Sequence, residues 1–168
     1  MELPKIFQDE FYRKCISLAV QSKGNERYGS ILVLDNQIMG EGYNRAIVHP
    51  ALQKLDRKIK QGMANHAEIE ALNEALFKRN QTKNSELYVA GYFPDSKRLF
   101  FKTEYTCVKC IPHLIKYGVQ NISVPAPEGW VKKEINKAYE EAKKFINGTH
   151  QKRLEVMIGE FYISQLDL

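Results

Sequence analysis

The 168-residue sequence predicts a single α/β layered domain. Three observations point there. β-Rich runs alternate with stretches of helical periodicity; the length suits one core and is short for two; and 43% hydrophobic with 27% charged residues is a globular composition. Residues 1–168 are therefore read as one domain.

The elements follow in order. Residues 8–23 form an amphipathic helix, with Phe11, Cys15, Leu18 and Ala19 at i, i+4, i+7 and i+8 and Gly24 as its stop. Cys15 lies on that apolar stripe, which makes it a core residue rather than a ligand. Tyr28–Leu34 and Ile38–Tyr43 are strands joined by the turn residues Asp35-Asn36, a hairpin. Residues 44–65 are a long connection in which Pro50 can open a short helix with Leu52, Leu55 and Ile59 on one side. A second helix runs from about Asn65 to Arg79. Asn65 is its N-cap, Glu68 completes a capping box, and Ile69, Leu72, Ala75 and Leu76 are its inner stripe.

Glu86–Tyr92 is a strand, and Pro94 to Thr106 a loop carrying Asp95, Lys97, Arg98 and Phe100-Phe101. Cys107 begins a third helix with Ile111, Leu114 and Ile115 inward and Gly118 as its stop. Asn121–Val124 is a short strand closed by Pro125 and Pro127. Glu128–Ile146 is a charged helix with Ile135, Ala138, Ala142 and Phe145 inward. After residue 150, Leu154, Val156 and Ile158 alternate as in a strand that Phe161 and Ile163 can continue; a helix is the alternative.

Charge and cysteine content narrow the class. The net charge of +5 is mild and suits a phosphate-bearing substrate, but no basic stretch with interleaved aromatics marks a nucleic-acid surface. Three cysteines, two of them close, do not make a disulfide framework. No apolar run approaches the roughly 18 residues of a membrane span, so the expectation is a cytoplasmic protein without membrane attachment.

Two short segments carry chemistry: Asn65-His66-Ala67-Glu68 at one helix start, and Thr106-Cys107-Val108-Lys109-Cys110 at the next. Zinc prefers tetrahedral nitrogen and sulfur ligands, and a catalytic site keeps one of four positions open for water. His66, Cys107 and Cys110 supply three ligands. A helix N-terminus favours thiolate over thiol, and cysteines three apart share one side of a first turn. Zinc bound there lowers the pKa of a coordinated water. Glu68 is placed to take that proton rather than to ligate. Blander readings exist for each part: C-x-x-C serves redox or structural zinc sites, a lone His is a core or surface residue, a Glu in a first turn is a cap, and His113 could complete a local structural site. The order H-x-E, then C-x-x-C opening a later helix, favours catalytic zinc.

These segments resemble the cytidine/deoxycytidylate deaminase superfamily, which includes tRNA adenosine, guanine and nucleic-acid-editing deaminases. The resemblance covers roughly residues 8–125 and includes Gly40-Glu41-Gly42-Tyr43-Asn44-Arg45 beside the two metal segments. It implies a three-layer α/β/α fold around a mixed sheet of about five strands, the fifth being the tail. It implies that Asn44 hydrogen-bonds the base or ribose, that the Ala67 N–H meets a base carbonyl or ring atom, and that the Thr106 carbonyl meets the departing amine. Thr106 stands where the family has Pro, which bears on substrate alignment through the lost φ restraint. His66 and Cys107 lie 41 positions apart, longer than in small members, with the extra length in Tyr92–Tyr105.

The expected activity is zinc-dependent hydrolytic deamination of a free base, nucleoside or nucleotide, with cytosine favoured. An adenine- or guanine-directed enzyme is the alternative, with tRNA as a less favoured substrate since Ser164–Leu168 is not basic. Arg45, His49, Lys54 or Arg57 could meet a phosphate. A non-catalytic zinc-stabilised binding domain and a C-x-x-C redox protein are the competing classes. The family implies a homo-oligomer.

Overall fold

The computed structural model describes residues 2–24, 26–45, 66–101, 107–147 and 161–168. The first element is a 3₁₀ turn at Lys5–Gln8. Helix α1 (Glu10–Gln21) starts where the Asp9 carboxylate accepts the Tyr12 N–H at 2.8 Å, an N-cap that satisfies a donor the helix itself cannot. Strands β1 (Arg27–Leu34) and β2 (Gln37–Tyr43) form the expected hairpin. Asp35 and Asn36 both take positive φ (48° and 63°), the conformation that matches a two-residue turn to strand twist.

Helix α2 (Ala67–Phe77) crosses to strand β3 (Glu86–Tyr92). Helix α3 (Ile111–Lys116) then leads to strand β4 (Asn121–Ala126), strand β5 (Gly129–Glu134) and helix α4 (Ile135–Asn147). The sheet order is β2-β1-β3-β4-β5. Only β3 and β4 run parallel, and all other neighbours are antiparallel. A mixed five-stranded sheet with helices on both faces is the predicted fold class.

Alternation along the strands builds two cores. Ile31, Val33, Tyr88, Ala90 and Tyr92 face α1 and pack on Tyr12, Cys15, Ile16 and Ala19. Leu32, Leu87 and Ile122 face the other way, onto Ala71, Leu72 and Ala75 of α2, Ile111 and Leu114 of α3, and Ile135 and Ala138 of α4. Backbone touches backbone between layers. A Cβ at Gly29 would collide with the Cys15 carbonyl, and one at Gly42 would stand 2.6 Å from the Glu70 Cβ and collide with the Ala71 nitrogen. Gly42 thus allows the first turns of α2 to lie directly on β2.

The C-terminal third departs from expectation. The fifth strand is β5, not the tail, and it occupies what was read as the start of the charged helix. Pro127 and Glu128 form a turn, Gly129 follows at φ 147°, and Pro125 pairs with Trp130. Pro125 does not close β4, because it lies beyond the three residues paired with β3, where its missing N–H breaks no bond to that neighbour. Packing decides the strand: Trp130 stands edge-on to Tyr88 at 4.8 Å and donates its indole N–H to Asp9 at 2.9 Å. Ile135 and Ala138 are the buried face of α4, as expected; the Phe145 side chain lies outside the described residues.

Smaller corrections concern helix ends. Helix α2 stops at Phe77 rather than Arg79. Arg79 takes φ 58° and the Asn80 N–H returns to the Ala75 carbonyl, the hydrogen-bonding pattern of a left-handed helix end. Asn65, expected as its cap, lies outside the described residues, as do the connection after Arg45 and the alternating stretch at 154–158. The described tail is a single bridge, Tyr162 to Arg98, followed by a 3₁₀ turn at Ile163–Leu166.

Candidate metal centre

The starts of α2 and α3 converge. His66 occupies the N-cap position of α2 in extended conformation, and its side chain makes no capping bond. It therefore points away from the helix it precedes, with Nδ1 at 3.2 Å from the Cys110 sulfur. Cys107 opens a tight turn in which its carbonyl accepts from the Cys110 N–H at 2.9 Å and the Ile111 N–H at 3.3 Å. Helix α3 proper begins at Ile111, later than expected, because Pro112 fits a first turn but not an interior. The turn still brings both sulfurs to one side.

The ligand atoms of His66, Cys107 and Cys110 all lie within 4.8 Å of one another, the one such group among the described residues. His113 is not part of it. Cys110 is buried, whereas His66 and Cys107 are partly exposed. The two thiols share their ionisation unequally. Hydrogen bonds from Cys110, and to a lesser extent from His66 and the Lys109 backbone, outweigh burial and draw Cys107 down to about 3. The hydrogen bond with Cys107, burial and the nearby Glu68 charge push Cys110 well up. A thiolate therefore stands ready beside a second thiol and an imidazole.

This donor set fits zinc. It offers one borderline nitrogen and two soft sulfurs, three ligands rather than four, with one open position. Glu68, partly buried in the first turn of α2, is not a member of the group.

The other expected residues divide. Ala67 is the first residue of α2 and is buried at the helix start. Asn44 continues the hairpin past Tyr43: its Oδ1 accepts the Tyr28 N–H at 2.8 Å and its Nδ2 donates to the Glu26 carbonyl at 2.7 Å. Thr106, His49, Lys54 and Arg57 lie outside the described residues. Arg45 is engaged: its Nε and Nη2 donate to Glu70 Oε2 at 3.0 and 2.8 Å, and its guanidinium lies 5.5 Å from the Tyr43 ring centre. Sequence reasoning did not single out Glu70. Its signal was a carboxylate one turn after His66, set between the apolar Ile69 and Ala71.

Fold and site together define an α/β domain that gathers one imidazole and two sulfurs into a candidate metal centre. Residues 6–126, well over half of the chain, match the cytidine and deoxycytidylate deaminase zinc-binding region. The chain belongs to that family. No curated protein matches its sequence. Among solved structures it is similar to a diaminohydroxyphosphoribosylaminopyrimidine deaminase/5-amino-6-(5-phosphoribosylamino)uracil reductase from Thermotoga maritima, at 19% identity and TM-score 0.49 over 81% of this chain. It is also similar to a dCMP deaminase from the cyanophage S-TIM5, at 17% identity and TM-score 0.45, over 67% of this chain and 76% of that one. A third is RibD of Acinetobacter baumannii, at 22% identity and TM-score 0.38 over 67% of this chain. The chain spans 34% of the Thermotoga protein and 26% of the Acinetobacter one. No described helix is long and apolar enough to cross a membrane.

Proposed function

We propose that residues 1–168 act as one zinc-dependent hydrolytic deaminase domain, removing the exocyclic amine of a nucleobase carried as a free base, nucleoside or nucleotide. The convergence of His66, Cys107 and Cys110 on one point, two residues from the Glu68 carboxylate, carries this reading.

His66, Cys107 and Cys110 would hold the ion. When bound, zinc supplies a water acidified enough to serve as nucleophile near neutral pH. Glu68 would carry both protons of the water: the first to the ring nitrogen as the oxygen adds, the second from that oxygen to the departing amine, so that ammonia leaves and the oxo base remains. The Ala67 N–H and the Thr106 carbonyl orient the ring, one toward a base acceptor and the other toward the amine. Asn44 contacts base or ribose with what its amide has left: a second N–H and a second lone pair remain after the bonds to Glu26 and Tyr28. Those two bonds hold the amide in a fixed orientation.

Cytosine is the favoured ring, because the family region that residues 6–126 match is that of the cytidine and deoxycytidylate deaminases. An adenine- or guanine-directed enzyme, tRNA included, is the second reading, and the Gly42–Arg45 segment favours it. We further propose a homo-oligomer as the working state. An ammonia-release screen over cytosine, adenine and guanine as bases, nucleosides and nucleotides, with a tRNA anticodon stem, decides the substrate. Stoichiometric zinc without ammonia from any of them would instead identify a zinc-stabilised binding domain.

A further inference from the structure

We propose that the Arg45–Glu70 ion pair is the positioning element of the metal centre, holding the first turn of α2, and with it His66 and Glu68, against the exit of β2. The inference rests on the deaminase reading of the site. It starts from an oddity: Glu70 is a carboxylate with 1% of its side chain exposed, in a helix whose other buried side chains, Asn73 apart, are apolar. Buried charge persists where it is paired with good geometry.

Here the geometry joins two segments. Glu70 stands one turn from His66, and its N–H donates to the His66 carbonyl at 3.1 Å. Arg45 stands two residues past the end of β2 and donates from two nitrogens to one carboxylate oxygen. Tyr43 flanks the guanidinium, and Gly42 lets the strand backbone lie against the same helical turn. Strand exit and helix start are thereby locked at one place, and the helix start carries His66 as its cap residue. Arg45 is thus committed to Glu70 rather than to a substrate phosphate. A neighbour that fixes a ligand's orientation typically changes metal affinity or activity by about 10–100-fold when removed.

The test replaces the pair by apolar residues of similar size, Arg45→Met with Glu70→Leu, since Glu70 is buried and Arg45 half-buried and such exchanges are often neutral for stability. The expected protein melts like the parent, yields zinc to a chelator about 10–100-fold faster, and exchanges the backbone amide hydrogen at position 70 faster. Its kcat falls by a similar factor for a nucleoside and its monophosphate alike, while KM moves by less than about twofold. Should the double variant fail to fold, Glu70→Gln, which keeps shape and one acceptor, is read the same way. Zinc release at the parental rate overturns the proposal. So does a loss that appears only as a raised KM for the phosphorylated substrate, which would make Arg45 a phosphate contact. If no compound is deaminated, the functional reading fails while the chelator and exchange measurements still decide the role of the pair. A chain that takes up no zinc overturns both.

Discussion

The sheet's two faces hold cysteine in opposite states. On the α1 face, Cys15 is sealed among Tyr12, Ile31 and Tyr88, its thiol 3.7 Å from the Tyr88 carbonyl. Burial, with the Asp9 charge adding to it, pushes its ionisation far up. On the opposite face, at the helix starts, Cys107 is partly exposed and drawn down to about 3 by hydrogen bonds from Cys110 and His66. One residue type serves as a small hydrophobe in one place and an anion in the other. The difference is made by partners and water, not by the side chain.

The sharpest way to break this contrast is to remove one sulfur from each face. Cys110→Ala is expected to abolish metal uptake and turnover, whereas Cys15→Ala keeps a full zinc complement. Elemental analysis of both proteins checks this, and zinc retained by the Cys110 variant would refute the assigned ligand set. Next in size is Glu68→Ala. It should keep its zinc while kcat falls by about 10²–10⁴, the usual contribution of a positioned acid–base group; near-normal turnover would remove Glu68 from proton transfer.

Chemical labelling sharpens the same comparison without mutation. After zinc is stripped, iodoacetamide at pH 6 should modify Cys107 well before Cys15, since only a thiolate attacks. Peptide mass spectrometry reads the order, and equal labelling would contradict the two environments.

Alkaline stability is a smaller effect. Cys15 and Tyr12 both ionise less readily in the fold than their ordinary values of 9.0 and 10.0. Above pH 9 the unfolded chain releases protons that the folded chain retains, so stability falls as pH rises. The slope approaches about 1.4 kcal/mol per pH unit for each such group. Urea midpoints of the zinc-loaded protein between pH 8.5 and about 10.5 should show this, with Cys15→Ala declining less steeply. The smallest change expected is Trp130→Phe, which removes the indole bond to Asp9 and costs about 1 kcal/mol; a thermal melt measures it.

What could be read from the sequence follows the same division between local and distant causes. The β1–β2 hairpin was legible because Asp35-Asn36 encodes its own turn, and α1 because Phe11, Cys15, Leu18 and Ala19 mark one stripe. The clustering of His66, Cys107 and Cys110 was legible because their spacing at helix starts is itself the signal. Strand β5 was not. Val131, Ile135, Ala138 and Ala142 repeat at helical intervals, and only Trp130 packing on Tyr88 and Tyr12 reveals why the first of them belongs to a strand. Nor was the Arg45–Glu70 pair, whose members are 25 positions apart and meet only once α2 lies on β2.

The last described stretch has a practical consequence. Phe161 offers its carbonyl to the Leu99 N–H at 2.8 Å, and the Arg13 guanidinium clasps the carbonyls of Leu166 and Asp167 at 2.7 and 2.9 Å. Residues 166 and 167 are thus buttoned to α1 through their main-chain carbonyls. Removing residues 166 and 167 would loosen α1 as well, whatever side chains were left in place.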